Sequence, residues 1–190
     1  MNNYYTIVDP IIVYPNCIKH GVKQDCFNCV LQKSDKCLSP RGLCVKFYKN
    51  HKFGCPNFGK KPDCPPLVPM FDEIFDITRP IYAIYIVFDL FSHVEKMKQR
   101  HPSWTETQLL NVLYWQGTAR KKLKEHIKKF NDEFRHKGYY STTSPEAMGV
   151  DVTQTLKNAG IILEWPARNS VYKVAMAGIP VSDKYLHILK

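Results

Sequence analysis

Apolar positions divide the chain into an irregular first third and a regularly patterned remainder. Residues 81–88 (IYAIYIVF) form a nearly continuous run of β-branched and aromatic side chains, which predicts a central strand covered on both faces. The run ends at Asp89, and Ser92-His93-Val94-Glu95 offers a capping box for a short helix through about Arg100, stopped by Pro102. A second box, Ser103-Trp104-Thr105-Glu106, precedes Leu109, Leu113, Leu123, Ile127, Phe130 and Phe134 at helical spacing, so one long helix is expected over about 104–136. Ser144 as N-cap, Pro145 in the first helical position and Gly160 just past the end frame a third helix with Met148, Val152 and Leu156 inward. Residues 161–165 and 171–177 then read as two strands joined by a turn at Pro166-Ala167-Arg168-Asn169.

Upstream the pattern is different. Residues 4–14 read as short extended segments interrupted by Pro10, an edge or lead-in. Residues 17–69 combine Pro40, Pro56, Pro62, Pro65, Pro66 and Pro69 with Gly42, Gly54 and Gly59, a composition that breaks regular elements. The fold class expected is α/β (or α+β): a small mixed sheet with a long basic helix, plus an irregular cysteine-rich metal module. Residues 1–66 are expected to form that module with short N-terminal strands, and residues 67–190 the α/β core. The seam falls at 66–69.

Composition sharpens the first third. All seven cysteines (Cys17, Cys26, Cys29, Cys37, Cys44, Cys55, Cys64) lie within 48 of the 190 residues, and 44% apolar content already provides for a core. The thiols therefore need a local cause. Disulfides suit secreted chains, but the N-terminal residues show neither a basic n-region nor a long apolar stretch, so a reducing, cytoplasmic setting is expected. The longest apolar run, eight residues, falls far short of the roughly 18 that suggest a membrane span. A soluble protein with no membrane partner is expected.

A metal centre needs thiolates converging on one point, and Cys26-Phe27-Asn28-Cys29 supplies two from one turn. Cys17 and Cys37 lie near enough in sequence to complete a four-thiolate site, with Cys44 able to replace Cys17. Cys44, Cys55 and Cys64 remain as a second, three-cysteine group that would leave an iron open to substrate. The Cys55-Pro56 and Cys64-Pro65 steps resemble ferredoxin-type runs, where proline turns the chain away after the ligand. This favours one or two 4Fe–4S iron–sulfur clusters, with all seven cysteines as candidate ligands, over a closed zinc site that would only staple the segment. His20 and His51 lie inside the module as further donors, although an isolated histidine is more often a surface residue.

At GCPNFGKKPDCPP (54–66) the chain resembles an uncharacterised family of predicted metal-binding proteins carrying a CPxYGK…CPP motif. SPEAMGVDVTQTLKNAG (144–160) is similar to that family's GIDV helix, which two C-terminal strands follow. The group Cys26, Cys29, Cys37-Leu-Ser-Pro-Arg41 is similar to its second cysteine group, which usually stands just before the GIDV helix and here is transposed to the N-terminus. The resemblance implies metal, an iron–sulfur cluster foremost, and a site where the module meets residues 149–151; it implies no established reaction.

Net charge is +10, and two segments carry more than all of it: 17–64 holds ten Lys/Arg against three acids, and 96–137 eleven against four. Arg120, Lys121, Lys122, Lys124, Lys128 and Lys129 make half of the long helix cationic. A solvated face is the plain reading. As a binding surface it would suit an acidic protein or redox partner, tRNA, or a phosphate-bearing cofactor, with Tyr4, Tyr5, Tyr139, Tyr140 and Trp165 as stacking residues, though these aromatics are more simply core. Asp151 sits on a mostly apolar helix and is expected to cap or bond backbone rather than act in catalysis. No GxGxxG, Walker A, nucleophile elbow or HExxH motif occurs. Two functions follow: an iron–sulfur oxidoreductase or accessory factor in redox or sulfur/cofactor chemistry, or a zinc-stapled nucleic-acid- or protein-binding module.

Overall fold

A computed structural model describes residues 4–14, 39–45 and 54–189. Four strands, β1 (Tyr5–Val8), β2 (Ile81–Asp89), β3 (Tyr140–Thr142) and β4 (Ser170–Gly178), pair in the order β1-β2-β4-β3. The fold is the expected α/β mixture in its α+β form, because all three ladders are antiparallel. Among the described residues no helix is long and apolar enough to cross a membrane.

β2 is central as its composition requires. Its even positions Ile84, Ile86 and Phe88 face Ala119, Leu123, Ile127, Phe130 and Phe134 of α4 (Gln116–Phe134). Ile81 and Ala83 face the opposite layer, built from Phe71 and Ile74 of α1 (Phe71–Ile74), Phe75, Val68, Met148, Val150, and Val152 and Leu156 of α5 (Val152–Asn158). Coverage fails only toward the strand's end, where Val87 is 49% exposed. Tyr5 and Tyr139 pack among Tyr82, Phe130 and Phe134, so they are core rings.

The helix boundaries shift for local reasons. In α2 (Leu90–Arg100) the cap is Asp89, whose carboxylate accepts from Ser92 N at 2.8 Å, one turn earlier than the expected box. The expected helix over 104–136 is broken into α3 (Glu106–Leu109), a 3-10 turn (Val112–Tyr114) and α4. Asn111 makes the break: its backbone is extended and its side chain accepts from Leu113 N at 3.0 Å, leaving Leu113 79% exposed. Thr105 with Gln108 forms the real capping box.

The third helix is also two pieces. Pro145–Met148 is a 3-10 turn ending at Gly149 with φ 88°, after which Asp151 caps α5. Of the two C-terminal strands only β4 forms. Residues 161–165 are not a strand, because Glu164 accepts from Asn169 N and Ser170 N and folds them into a loop, leaving Trp165 71% exposed.

The chain after β1 is strapped to α5: Asp151 N donates to Ile11 O at 2.8 Å, and Ile11 N donates to Thr155 Oγ1 at 2.9 Å. Thr155 is fully buried, so Thr155→Val leaves an enclosed N–H without its acceptor. We expect a loss of about 1–3 kcal/mol, read as a lowered urea midpoint with unchanged slope.

Candidate metal centre

Three of the seven cysteines fall on described residues, and two of them, Cys44 and Cys55, are joined through their backbones. Cys44 ends a 3-10 turn (Pro40–Cys44) whose N-cap, Ser39, accepts from Arg41 N. Cys55 N donates to Cys44 O at 2.7 Å, setting the two residues side by side. That approach requires Gly54, because a Cβ there would lie 2.5 Å from Cys44 O and 2.7 Å from Val45 Cα, at a φ of +77°. From Cys55 the chain runs through successive turns, and Gly59 N to Pro65 O at 2.8 Å closes them so that Cys64 returns toward Cys55.

The thiols feel one another. Burial, then Cys55 and Cys64, push the Cys44 thiol up to about 11, against the opposing pull of Arg41. The Cys64 thiol is raised by burial first, then by Asp63 and Cys55. All three are free and partly buried. Soft donors held this way suit iron or zinc by their chemistry. Yet among the described residues no group of three or more His, Cys, Asp or Glu side chains is arranged to hold a metal ion. Cys17, Cys26, Cys29 and Cys37, with His20 and His51, lie outside the described residues.

This cysteine turn rests on the 145–149 turn. Val13 N donates to Gly149 O at 2.8 Å, and Ser39 Oγ donates to Val13 O at 3.0 Å. The residues that precede and follow 15–38 are thus pinned at one place. Gly149 faces Met70, whose Cε would stand 2.2 Å from a Cβ there. Arg41 is buried and donates to Met70 Sδ and to Val68 O, each at 3.0 Å. Glu146 adds a carboxylate whose field reaches Cys44. Asp151 is occupied as the cap of α5, accepting from Gln154 N at 2.9 Å, the backbone role expected of it.

Sequence reasoning passed over Arg41, Glu146 and Met70. Arg41 stood within the motif Cys37-Leu-Ser-Pro-Arg41, and its signal was a cation beside thiols. Met70 and Glu146 left none, since their roles depend on contacts distant in sequence.

Residues 45–143, about half of the chain, match the family described as predicted metal-binding protein (DUF2284). No curated protein and no solved structure matches the chain.

Two substitutions probe the scaffold. Gly54→Ala should cost about 1–3 kcal/mol and reduce the metal retained through purification, since it separates Cys44 from Cys55. Metal content per folded chain measures this. Tyr14 donates to Asp72, and that bond, with burial, pushes its hydroxyl up to about 12. A raised folded pKa means stabilisation that is complete below the unfolded value of about 10 and is lost as pH rises toward the folded one. Tyr14→Phe should therefore cost about 1 kcal/mol at neutral pH, and its deficit in chemical denaturation should shrink above about pH 10.

Proposed function

The chain belongs to this family of predicted metal-binding proteins, and from that premise we propose that it is an iron–sulfur protein with one or two 4Fe–4S clusters held by cysteine thiolates. The observation that carries the reading is the backbone bond from Cys55 N to Cys44 O, with Cys64 on the turn that Gly59 N and Pro65 O close after it. Cys17 and Cys37 stand three and two residues from Tyr14 and Ser39. Since Val13 and Ser39 are bonded beside this group, a segment entering and leaving there can bring further thiolates to it. The Cys-Pro steps at 55 and 64 favour iron over zinc, because proline offers the sulfur no N–H and turns the chain away.

When bound, such a cluster supplies one-electron transfer and, at an iron lacking a fourth thiolate, a position for a substrate donor atom. The chain's own residues would hold it: Gly54 permits the close approach of the segments that carry Cys44 and Cys55, and the 145–149 turn packs against the turn that carries Arg41. Arg41 favours the thiolate form of Cys44 and so offsets part of the charge that deprotonated ligands accumulate. A redox enzyme or an accessory factor in sulfur or cofactor chemistry fits this arrangement, in a cytoplasm that keeps thiols reduced.

Anaerobic purification tests the reading. Brown protein with broad visible absorption, containing iron and acid-labile sulfide, is expected; colourless protein with stoichiometric zinc would replace it with the zinc-stapled binding module. Serine at Cys29 and at Cys64, made separately, counts the centres. Partial loss of iron in each variant means two, and complete loss in each means one.

A further inference from the structure

β3 covers only residues 176–178 of β4, so residues 171–174 form an outer edge of the sheet. A cleft of about 1010 Å³ runs beside that edge. One wall is α4, the other is formed by residues 143–146 and the start of α5, and Ser39, Pro40 and Lys61 from the cysteine region contribute at its border. Its volume is at the upper end of small-molecule pockets, which reach about 1,000 Å³.

The charges in it are selected. Of the six cations of α4, only Arg120 and Lys124 line the cleft, one turn apart, beside Leu123 and Ile127. Lys121, Lys122, Lys128 and Lys129 are exposed and take no part. A third cation, Lys173, comes from β4. Its register partner is Ile86 and its neighbours on that face are Val171 and Ala175, so the strand's alternation calls for an apolar side chain there.

Among the described residues Lys173 makes no hydrogen bond and no ion pair. Burial and Arg120 depress its pKa, with Glu146 pulling the other way. An unpaired ammonium on the helix-covered face of a sheet opposes folding unless something else requires it. Two acids also line the cleft. Asp151 is engaged with Gln154 N, and Glu146 is exposed to solvent, so water screens its charge. Leu163, Trp165 and Tyr172 give an apolar, aromatic side to the same cleft.

We propose that this cleft binds a phosphate-bearing small molecule with an aromatic body, a nucleotide-like ligand, with Arg120, Lys124 and Lys173 taking the phosphate and Trp165 and Tyr172 taking the ring. The concavity argues for a small molecule over a nucleic-acid strand, because the cations that an extended strand would use lie on the outward side of α4, away from the cleft.

The experiment uses the full-length, metal-loaded chain, with AMP, adenosine and inorganic phosphate titrated by calorimetry. Iron content of every variant is measured alongside, so that loss of metal and loss of ligand are read separately. AMP should saturate, with adenosine weaker by about tenfold or more. Arg120→Gln and Lys173→Met should each weaken AMP by about tenfold or more, while Lys121→Gln leaves it unchanged. Lys173→Met should also raise the ligand-free Tm by about 2–4 °C, since it removes an unpaired charge from an apolar face, whereas a structural role would lower it. The proposal is overturned by absence of saturable binding of AMP and phosphate, by equal losses in Lys121→Gln and Arg120→Gln, or by a lowered Tm in Lys173→Met. Binding of bulk tRNA alone, dependent on Lys121 and Lys128, would likewise overturn it and assign the charge to a macromolecular polyanion.

Discussion

The cysteine region depends on the meeting of distant chain segments at Gly149. Val13 N bonds to its carbonyl, Ser39 bonds to Val13, and the Met70 side chain fills the space that a Cβ would need. None of these segments is a regular element, so none can satisfy its own polar groups by repetition. They satisfy one another instead. The result is a thiol-bearing turn fixed to a sheet-backed layer whose core residues Met148, Val150 and Met176 are fully buried.

The elements that could be read from the chain were those whose cause is local. β2 announces itself because eight consecutive residues before Asp89 are β-branched, aromatic or small, and a strand covered on both faces needs that run. Gly160 and Pro145 marked real boundaries for the same reason, each through its own backbone preference. What failed were continuities. Asn111 and Gly149 each interrupt a stretch of helical spacing, and an apolar period carries no information about a side chain that bonds back to its own backbone or a residue at positive φ. Residues 161–165 look like a strand until Glu164 is seen to be spent on the turn that follows.

The site was legible in part. Cysteine count and spacing pointed to metal, and the grouping of Cys55 and Cys64 within one motif follows from turns encoded between them. The partners of that group were not legible. Arg41 reaches Met70 and Val68 across 27 and more residues, and Lys173 becomes conspicuous only once the ladder with β2 places it on the helix-covered face. A strand register turns an ordinary lysine into an anomaly.

The two basic segments of the chain therefore do different physical work. Around the thiols, positive charge acts on single groups: Arg41 lowers the Cys44 pKa and Lys61 that of Cys64. On α4, charge is divided between a cleft-facing pair and an outward face that water already solvates. The Glu146 carboxylate acts on both regions in the same direction: it raises the proton affinity of the Cys44 thiol and of the Lys173 amine, which favours a neutral thiol in one place and a charged ammonium in the other.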